Sequence, residues 1–180
     1  MGAATTSDFK EAMLRELPRL RAYAAGLTGS ISEADDLVQD ALLRIWRFRE
    51  AFSPGTNLSA WMFQILRNEF FTQRRKPRLP TETIEASPAR AVATLPSQEW
   101  QMRYRELLEA LPRLPAQNRD ALLLVVAGGL SYEDAARSSG CDVGVFRGRV
   151  YRARAQLAEM TDYEDQPRRA RTNVAAAHYV

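Results

Sequence analysis

The stretch "GLSYEDAARSSGCDVGVFRGRVYRARAQL", residues 129–157, determines the fold of the second half of the chain. Ser131 is placed to cap one helix, and Asp142 is placed to cap the next. Gly140 and Cys141 turn the chain between them. A short helix, a turn containing glycine and a basic second helix follow one another in the order typical of a helix-turn-helix. The stretch therefore predicts a DNA-binding motif.

The second helix of this motif separates into an apolar arc and a basic arc at about 100° per residue. The apolar arc contains Val143, Phe146, Val150, Ala153 and Leu157. The opposite arc contains Arg147, Gly148, Tyr151 and Arg152, with Arg149 towards its edge. Because the arginines border a single apolar stripe, they cannot all be buried. Their face has the size and charge that suit a DNA groove, and the alternative is a solvated surface helix.

The composition is that of a globular protein, with 46% hydrophobic and 26% charged residues in a chain of 180. The net charge of +3 indicates a polyanionic partner only weakly. The single cysteine excludes an intramolecular disulfide framework and a multi-cysteine zinc site. No stretch approaches the ~20 apolar residues needed to cross a bilayer, and the N-terminus lacks the apolar core of a signal peptide. We therefore expect a cytoplasmic protein with no membrane association.

Prolines divide the chain into two blocks. Residues 76–98 contain four prolines and no helical period, which predicts a flexible linker. Residues 8–75 and 99–160 show helical spacing and no convincing strand alternation, so we predict an all-α protein with two small domains. Residues 161–180 lack periodicity, which predicts a disordered tail.

The segment "ISEADDLVQDALLRIWRF", residues 31–48, predicts a helix with Ser32 as its N-cap. Its apolar arc contains Leu37, Val38, Ala41, Leu42, Ile45 and Phe48. Its polar arc contains Asp36, Gln39, Asp40 and Arg47. The acid excess is either a solvated face with Asp40 paired to Arg44, or a docking face for a protein partner. Leu43, which falls among the polar residues, favours the docking face.

The next helix, "AWMFQILRNEFFTQRR", places an aromatic ring among basic residues. Phe71 projects into the arc that contains Gln64, Arg67, Asn68, Arg74 and Arg75. Arginines bind phosphates and an exposed ring stacks on unpaired bases, so the arc is typical of nucleic-acid binding. The alternative is a ring packed under a loop. The preceding loop carries a Pro-Gly turn, with Asn57 and Ser59 able to contact the edge of a base.

Nothing in the sequence predicts catalysis, a cofactor, a metal or a small-molecule substrate. No His/Cys cluster, phosphate-binding glycine loop or Ser/His/Asp set is available, and the single histidine, His178, falls in the predicted tail.

Four motifs in order carry a family resemblance: "EADDLVQDALLRIW", "FSPGTNLSAWMFQILRNEFFTQRRK", "ALPRLPAQNRDALLL" and "GLSYEDAA…GCDVGVFRGRVYRARAQL". Over about residues 8–158 the chain resembles a bacterial RNA polymerase sigma factor of the extracytoplasmic-function type. "PGTNLSAW" and "QILRNEF" are similar to the subgroup that governs the general stress response. The resemblance implies binding to core RNA polymerase and promoter DNA, and control by an anti-sigma protein.

The resemblance also implies roles for individual residues. One set grips the largest subunit of the polymerase: Asp36, Gln39 and Asp40, with Leu43 on the same face. The loop from Phe52 to Asn57 captures a flipped base of the −10 element. The helix that meets this element presents Arg67, Asn68, Phe71 and Arg74. The −35 element faces Arg147, Gly148, Tyr151 and Arg152.

The sequence departs from the family pattern at four positions. A threonine is usual where Val145 stands, and a small polar residue is usual where Gly148 stands, so one phosphate contact and one groove contact are expected to be missing. Ser138 and Ser139 replace usually apolar residues, which should loosen the packing of the first helix of the motif. The alternatives are a sigma-mimic that sequesters an anti-sigma protein without binding DNA, and a plain helix-turn-helix repressor.

Overall fold

The computed structural model describes residues 3–75 and 98–161, and within these two ranges every regular element is a helix. The first range forms α1 (Ala3–Thr28), α2 (Ile31–Arg47) and α3 (Leu58–Arg75). The second range forms α4 (Gln98–Ala110), α5 (Ala116–Val126), α6 (Tyr132–Ser139) and α7 (Val143–Met160). Short 3-10 turns span Arg49–Ala51 and Leu111–Arg113. The predicted all-α class is confirmed. The predicted linker and tail lie outside the described residues, apart from Gln98 and Thr161.

The start of α2 lies two residues before the predicted one. Gly29 leaves α1 with a φ of 74°, in the left-handed region that glycine adopts without strain. Ser30 then takes an extended backbone, and its hydroxyl accepts a hydrogen bond from the Glu33 N–H at 3.4 Å. The prediction of Ser32 as the N-cap is therefore wrong, because the turn at Gly29 places Ser30 next to the first free N–H groups.

The apolar arc of α2 forms much of the core of the first domain. The buried side chains of this arc are Leu37, Val38, Ala41 and Ile45. Phe48, predicted on the same arc, is 52% exposed. α2 ends at Arg47, and Phe48 leaves the helical path with φ −100° and ψ 13°, which turns its ring away from the core.

The second domain contains the predicted helix-turn-helix, formed by α6 and α7. The Ser131 hydroxyl accepts from the Asp134 N–H at 3.0 Å at the start of α6. Gly140 ends α6 with a φ of 63°, and the Asp142 carboxylate accepts from the Gly144 N–H at 2.6 Å at the start of α7. The predicted caps are confirmed. The stripe that α7 buries contains Phe146, Val150, Ala153 and Leu157.

The two domains pack directly against each other. α1 contacts α5, α3 contacts α6, and the buried apolar residues of both domains form one continuous cluster. Gly26 of α1 lies so close to α5 that a Cβ atom there would come within 2.5 Å of Leu123 Cδ2. A side chain at this crossing would therefore require Leu123 to move. Within the described ranges, no helix is long and apolar enough to span a lipid bilayer.

Candidate nucleic-acid and partner interfaces

The outer face of α7 is cationic and open to solvent, as its periodicity predicted. Arg147 and Arg152 are exposed, and the Tyr151 ring between them is 67% exposed. Val145 is also exposed, one turn before Arg149. Because the buried stripe of α7 faces α5 and α6, this opposite face is free to meet a ligand. A tyrosine flanked by arginines offers both hydrogen-bond donors and a flat ring to a DNA groove.

The first helix of the motif holds one of these arginines in place. Arg147 Nη2 donates to Glu133 Oε1 at 3.3 Å, and its guanidinium lies 5.8 Å from the centre of the Tyr132 ring. Arg149 is half-buried and donates to the Cys141 sulfur at 3.6 Å. The arginines of α7 therefore differ, because some stand free while others already contact the protein.

Gly148 leaves room beside one of the free arginines. A Cβ at this position would lie 3.4 Å from Arg152 Nη1, which is ordinary contact with the end of a flexible side chain. The missing side chain therefore leaves a gap on the outer face of α7 that the Arg152 guanidinium borders.

The acidic face of α2 is exposed. Asp36, Gln39 and Asp40 face solvent, and Leu43 beside them is 71% exposed. The alternative pair of Asp40 with Arg44 does not form. Asp40 instead accepts from Gln73 Nε2 at 2.9 Å, and Arg44 pairs with Glu69.

Two basic residues of the first domain, Arg44 and Arg74, lie near this face. Arg44 forms an ion pair at 2.7 Å with Glu69 of α3, which is buried. Asp36 lines an open cleft of about 310 Å³ together with Arg74. Arg44 is therefore paired within the fold and does not neutralise the surface acids of α2.

The loop before α3 is anchored by its aromatic end. Phe52 is half-buried, with its ring centre 5.5 Å from that of Trp61 and 6.3 Å from that of Phe9. Residues 53–56 are exposed, and Gly55 takes a φ of 90°. Phe52 therefore supports the loop, while the tip stands in solvent.

Asn57, at the end of this loop, has both ends of its amide occupied. Its Oδ1 accepts from the Ala60 N–H at 3.1 Å and so caps α3. Its Nδ2 donates to Asp134 Oδ2 at 2.8 Å, a residue of α6 in the other domain. This hydrogen bond from Asn57 is the main cause that lowers the pKa of Asp134, against a smaller opposing effect of burial. Asn57 is thus not free in this arrangement.

Arg67 and Phe71 are also less exposed than the sequence predicted. Both side chains are half-buried, and the Arg67 guanidinium lies 4.9 Å from the centre of the Phe71 ring. Arg67 Nε donates to Asp120 Oδ2 at 2.7 Å, so its charge is balanced by the second domain. Asn68 and Arg74 remain exposed, with Arg74 lying 4.8 Å above the Phe70 ring.

Two family models match the chain in the order of its domains. Sigma-70 region 2 matches residues 13–78, and Sigma-70 region 4 matches residues 104–157. An ECF RNA polymerase sigma factor, EcfG of Rhodopseudomonas palustris, is 43% identical over 155 residues that cover 86% of each chain. The chain belongs to the ECF RNA polymerase sigma factors. The SigE factor of Mycolicibacterium smegmatis is 30% identical over 87% of this sigma factor and 62% of its own length.

Solved structures agree with this membership. The sigma factor RpoE of Bartonella quintana, in complex with the anti-sigma factor NepR, matches with a TM-score of 0.72 and 38% identity. That match covers 87% of this sigma factor and 98% of RpoE. The anti-anti-sigma factor PhyR of the same organism matches at 17% identity and a TM-score of 0.57 over 49% of its chain, which shows a similar fold.

The sequence reasoning missed Asp120, which is 1% exposed. It accepts hydrogen bonds from Arg67 and from the Tyr23 hydroxyl, the latter at 2.5 Å. Burial, and then the nearby Asp120 carboxylate, raise the pKa of Tyr23 well above its ordinary value. The sequence does show an acidic residue directly before the apolar run that starts at residue 121 of α5. That position indicates a buried carboxylate, but it does not indicate which residues pair with it.

Proposed function

We propose that this sigma factor reads two promoter elements with two domains while α2 holds core RNA polymerase. The observation that carries the proposal is the open face of α7, where Arg147, Tyr151 and Arg152 stand together in a member of this family. We assign its two domains to residues 8–75 and 99–160, the bounds that the sequence predicts. We expect this sigma factor to catalyse no reaction and to act in the cytoplasm.

The −35 element is assigned to α7. Its buried stripe fixes the helix against α5 and α6, so the side chains of the opposite face project as a rigid set. Bidentate contacts from arginine to guanine are the commonest specific contacts in a major groove. The bare backbone at Gly148 allows a base edge to approach α7 closely, between Arg152 and the preceding turn.

The −10 element is assigned to the loop at residues 52–57 and to α3. The exposed tip of the loop is held at one end by Phe52 and at the other by Asn57. Asn68 and Arg74 line the same helix, and Phe71 supplies an aromatic ring beside Arg67. A basic surface with an aromatic ring suits unpaired bases, which stack and carry phosphates.

The acidic face of α2 is assigned to core polymerase. Asp36 and Asp40 add negative charge beside the exposed Leu43, a combination of charge and apolar surface that fits a basic protein surface with an apolar centre. An anti-sigma protein is a further partner of this chain, since RpoE, which is similar over 87% of it, is found in such a complex. We assign it a stress regulon, because "PGTNLSAW" and "QILRNEF" are similar to the subgroup that governs the general stress response.

A sigma-mimic is the second candidate function, because the anti-anti-sigma factor PhyR has a similar fold. A mimic that never contacts DNA has no use for the cationic face of α7. Transcription reconstituted with core polymerase and a library of promoters separates the two functions. A sigma factor yields transcripts that share two promoter elements, whereas a mimic yields none.

The polymerase assignment has its own test. The double variant Asp36→Arg with Asp40→Arg should lose binding to core polymerase in a pull-down, because attraction becomes like-charge repulsion. The control variant, Glu11→Arg with Glu159→Arg, makes the same change in net charge at exposed positions away from this face. Full retention of the first variant would show that the acidic face is only solvated.

A further inference from the structure

The outer face of α7 carries an exposed aliphatic side chain beside its basic ones. Val145 is 49% exposed in the first turn of the helix, while its neighbour Phe146 is buried against the rest of the domain. A single exposed valine is common on protein surfaces and indicates nothing by itself. Val145 differs because it stands on the face to which the proposed function assigns the −35 element. Apolar side chains have a specific partner in a major groove.

Val145 and Arg152 lie on one line along this face. Residues seven positions apart in an α-helix are about two turns apart and differ by only about 20° in direction. The Arg152 side chain reaches back over much of that separation, because a Cβ atom at Gly148 would lie 3.4 Å from Arg152 Nη1. The guanidinium therefore lies beside Gly148, about one turn from Val145.

Gly148 leaves the surface between these two side chains bare. Any other residue at position 148 would project a side chain between Val145 and Arg152. Arg149, which is one turn after Val145, donates to the Cys141 sulfur at 3.6 Å, so its guanidinium is held at the turn before α7. The methyl groups of Val145 and the guanidinium of Arg152 are therefore neighbours, with only backbone between them.

The major groove of DNA offers a matching pair of groups. Arginine binds the O6 and N7 atoms of guanine, and apolar side chains contact the 5-methyl group of thymine. A methylated cytosine presents the same 5-methyl group. Successive bases of one strand are about 3.4 Å apart, and three residues of helix rise by about 4.5 Å. A guanine bound by Arg152 therefore brings the next base pair within reach of Val145.

We propose that Val145 determines specificity within the −35 element by contacting the 5-methyl group of a pyrimidine, in the base pair next to the one that Arg152 reads. Val145 has this role only if α7 lies in the major groove, so the inference rests on the proposed function. A threonine hydroxyl at this position would meet a phosphate. The valine thus exchanges a contact common to all sequences for one that depends on sequence. Burial of one methyl group corresponds to about a fourfold preference.

A methyl scan of the −35 element tests the role of Val145. Transcription reconstituted with the full chain, core polymerase and promoters with randomised −35 elements first gives the preferred element. Each thymine of that element is then replaced by uracil, which removes the methyl group and keeps every hydrogen-bonding group. Each cytosine is replaced by 5-methylcytosine, which adds the methyl group. We expect promoter preference to change about fourfold at one position. A change at a thymine or at a cytosine identifies which base supplies the methyl group.

Two variants with the same chemical change separate the contact from a general effect on the domain. Val145→Ala removes the methyl groups that make the contact, and alanine favours the helix, so the protein stays folded. This variant should use methylated and unmethylated promoters equally. Val126→Ala is the control, because Val126 is an exposed valine at the end of α5. The control should keep the preference of the parent protein.

Three results would overturn the role of Val145. They are equal use of both promoter forms by the parent, a methyl preference that Val145→Ala retains, and a methyl effect at a base pair not adjacent to the one whose preference Arg152→Ala relaxes. The proposed function fails separately. If the library yields no transcripts, or if Arg147→Ala and Arg152→Ala change no −35 preference, α7 does not read this element. If Arg152→Ala relaxes one position while no methyl group matters to the parent, only the assignment of Val145 is wrong.

Discussion

At the scale of single residues, two glycines of the helix-turn-helix have opposite roles. Gly140 takes a φ of 63°, which a residue with a Cβ adopts only with strain. Gly148 lies inside α7 with a helical backbone, and a side chain there would meet only the end of Arg152. The turn therefore requires Gly140, whereas Gly148 makes α7 less stable than an alanine at the same position would.

Gly148→Ala should therefore stabilise the protein by about 0.5–1 kcal/mol, because alanine loses less backbone entropy in a helix. Gly140→Ala should destabilise it by about 1–2 kcal/mol, because of the left-handed backbone. Urea unfolding of the two variants measures both changes. A loss of stability in Gly148→Ala would mean that α7 needs the gap for its own packing.

The hydrogen bond between Asn57 and Asp134 predicts a pKa change. Asn57→Ser keeps a residue that caps helices well but removes the long amide donor, so the pKa of Asp134 should rise towards its ordinary value. Carboxyl titration by NMR measures this shift. Thr56→Ser, in the same loop, should leave the pKa of Asp134 unchanged, and an equal value in all three proteins would show that the domains are apart in solution.

The pKa of Asp134 is lowered in the folded protein, where Asn57 donates to its carboxylate. The carboxylate therefore stabilises the contact between the domains at pH values above the pKa of Asp134 in the unfolded chain. That contribution is lost as the pH falls through the lower pKa of the folded protein. The contact between Asn57 and Asp134 should therefore weaken only in acid and stay constant around neutral pH.

At the scale of elements, α7 divides its arginines by what they already contact. Arg149 is held by Cys141, and Arg147 is oriented by Glu133, whereas Arg154 is exposed. The open face therefore has Arg147, Tyr151 and Arg152 at its centre and Arg154 towards its edge. Side chains at the centre of such a face reach the bases of a groove, and side chains at its edge reach phosphates.

Arg147→Ala and Arg152→Ala should each cost about 1–3 kcal/mol of binding to a −35 duplex and relax the preference at one base pair. Arg154→Ala should weaken all sequences alike and lower the salt slope by about one. Binding to randomised −35 duplexes at several salt concentrations measures both, with Arg15→Ala as a control for lost charge. If all of the α7 variants weaken every sequence equally, α7 is an electrostatic anchor and promoter choice rests with the first domain.

At the scale of the whole molecule, the contact between the domains depends on a balance of buried polar groups. Asp120 satisfies two donors, while Arg119 beside it leaves a buried N–H unpaired. Such a contact holds the domains in one register but contributes little net free energy, since the desolvation of both charges opposes their attraction.

Arg119→Met should strengthen the contact between the domains, because it removes a buried N–H that has no hydrogen-bond partner and keeps a side chain of similar length. The free energy of unfolding should rise by about 1–3 kcal/mol. Urea unfolding measures this change. Arg113→Met, at an exposed position, is the control, and a loss of stability in Arg119→Met alone would show that this charge supports the fold.

The sequence by itself determined the local features of this sigma factor. The caps at Ser131 and Asp142 and the buried stripe of α7 follow from residues a few positions apart, so helical periodicity and capping rules were sufficient. The exposed face of α2 around Leu43 followed in the same way. Which promoter and polymerase contacts these faces make stays a prediction.

Only the tertiary structure decided which polar groups are buried. Arg67 and Tyr23 meet Asp120 across 53 and 97 residues of sequence, and Ser138, which stands where an apolar residue is usual, donates to Ala60 across 78. A buried polar group is stable only when a partner satisfies it, and here each partner comes from the other domain. Periodicity shows which face of a helix is apolar, but it cannot show which distant residue will meet a charge on that face.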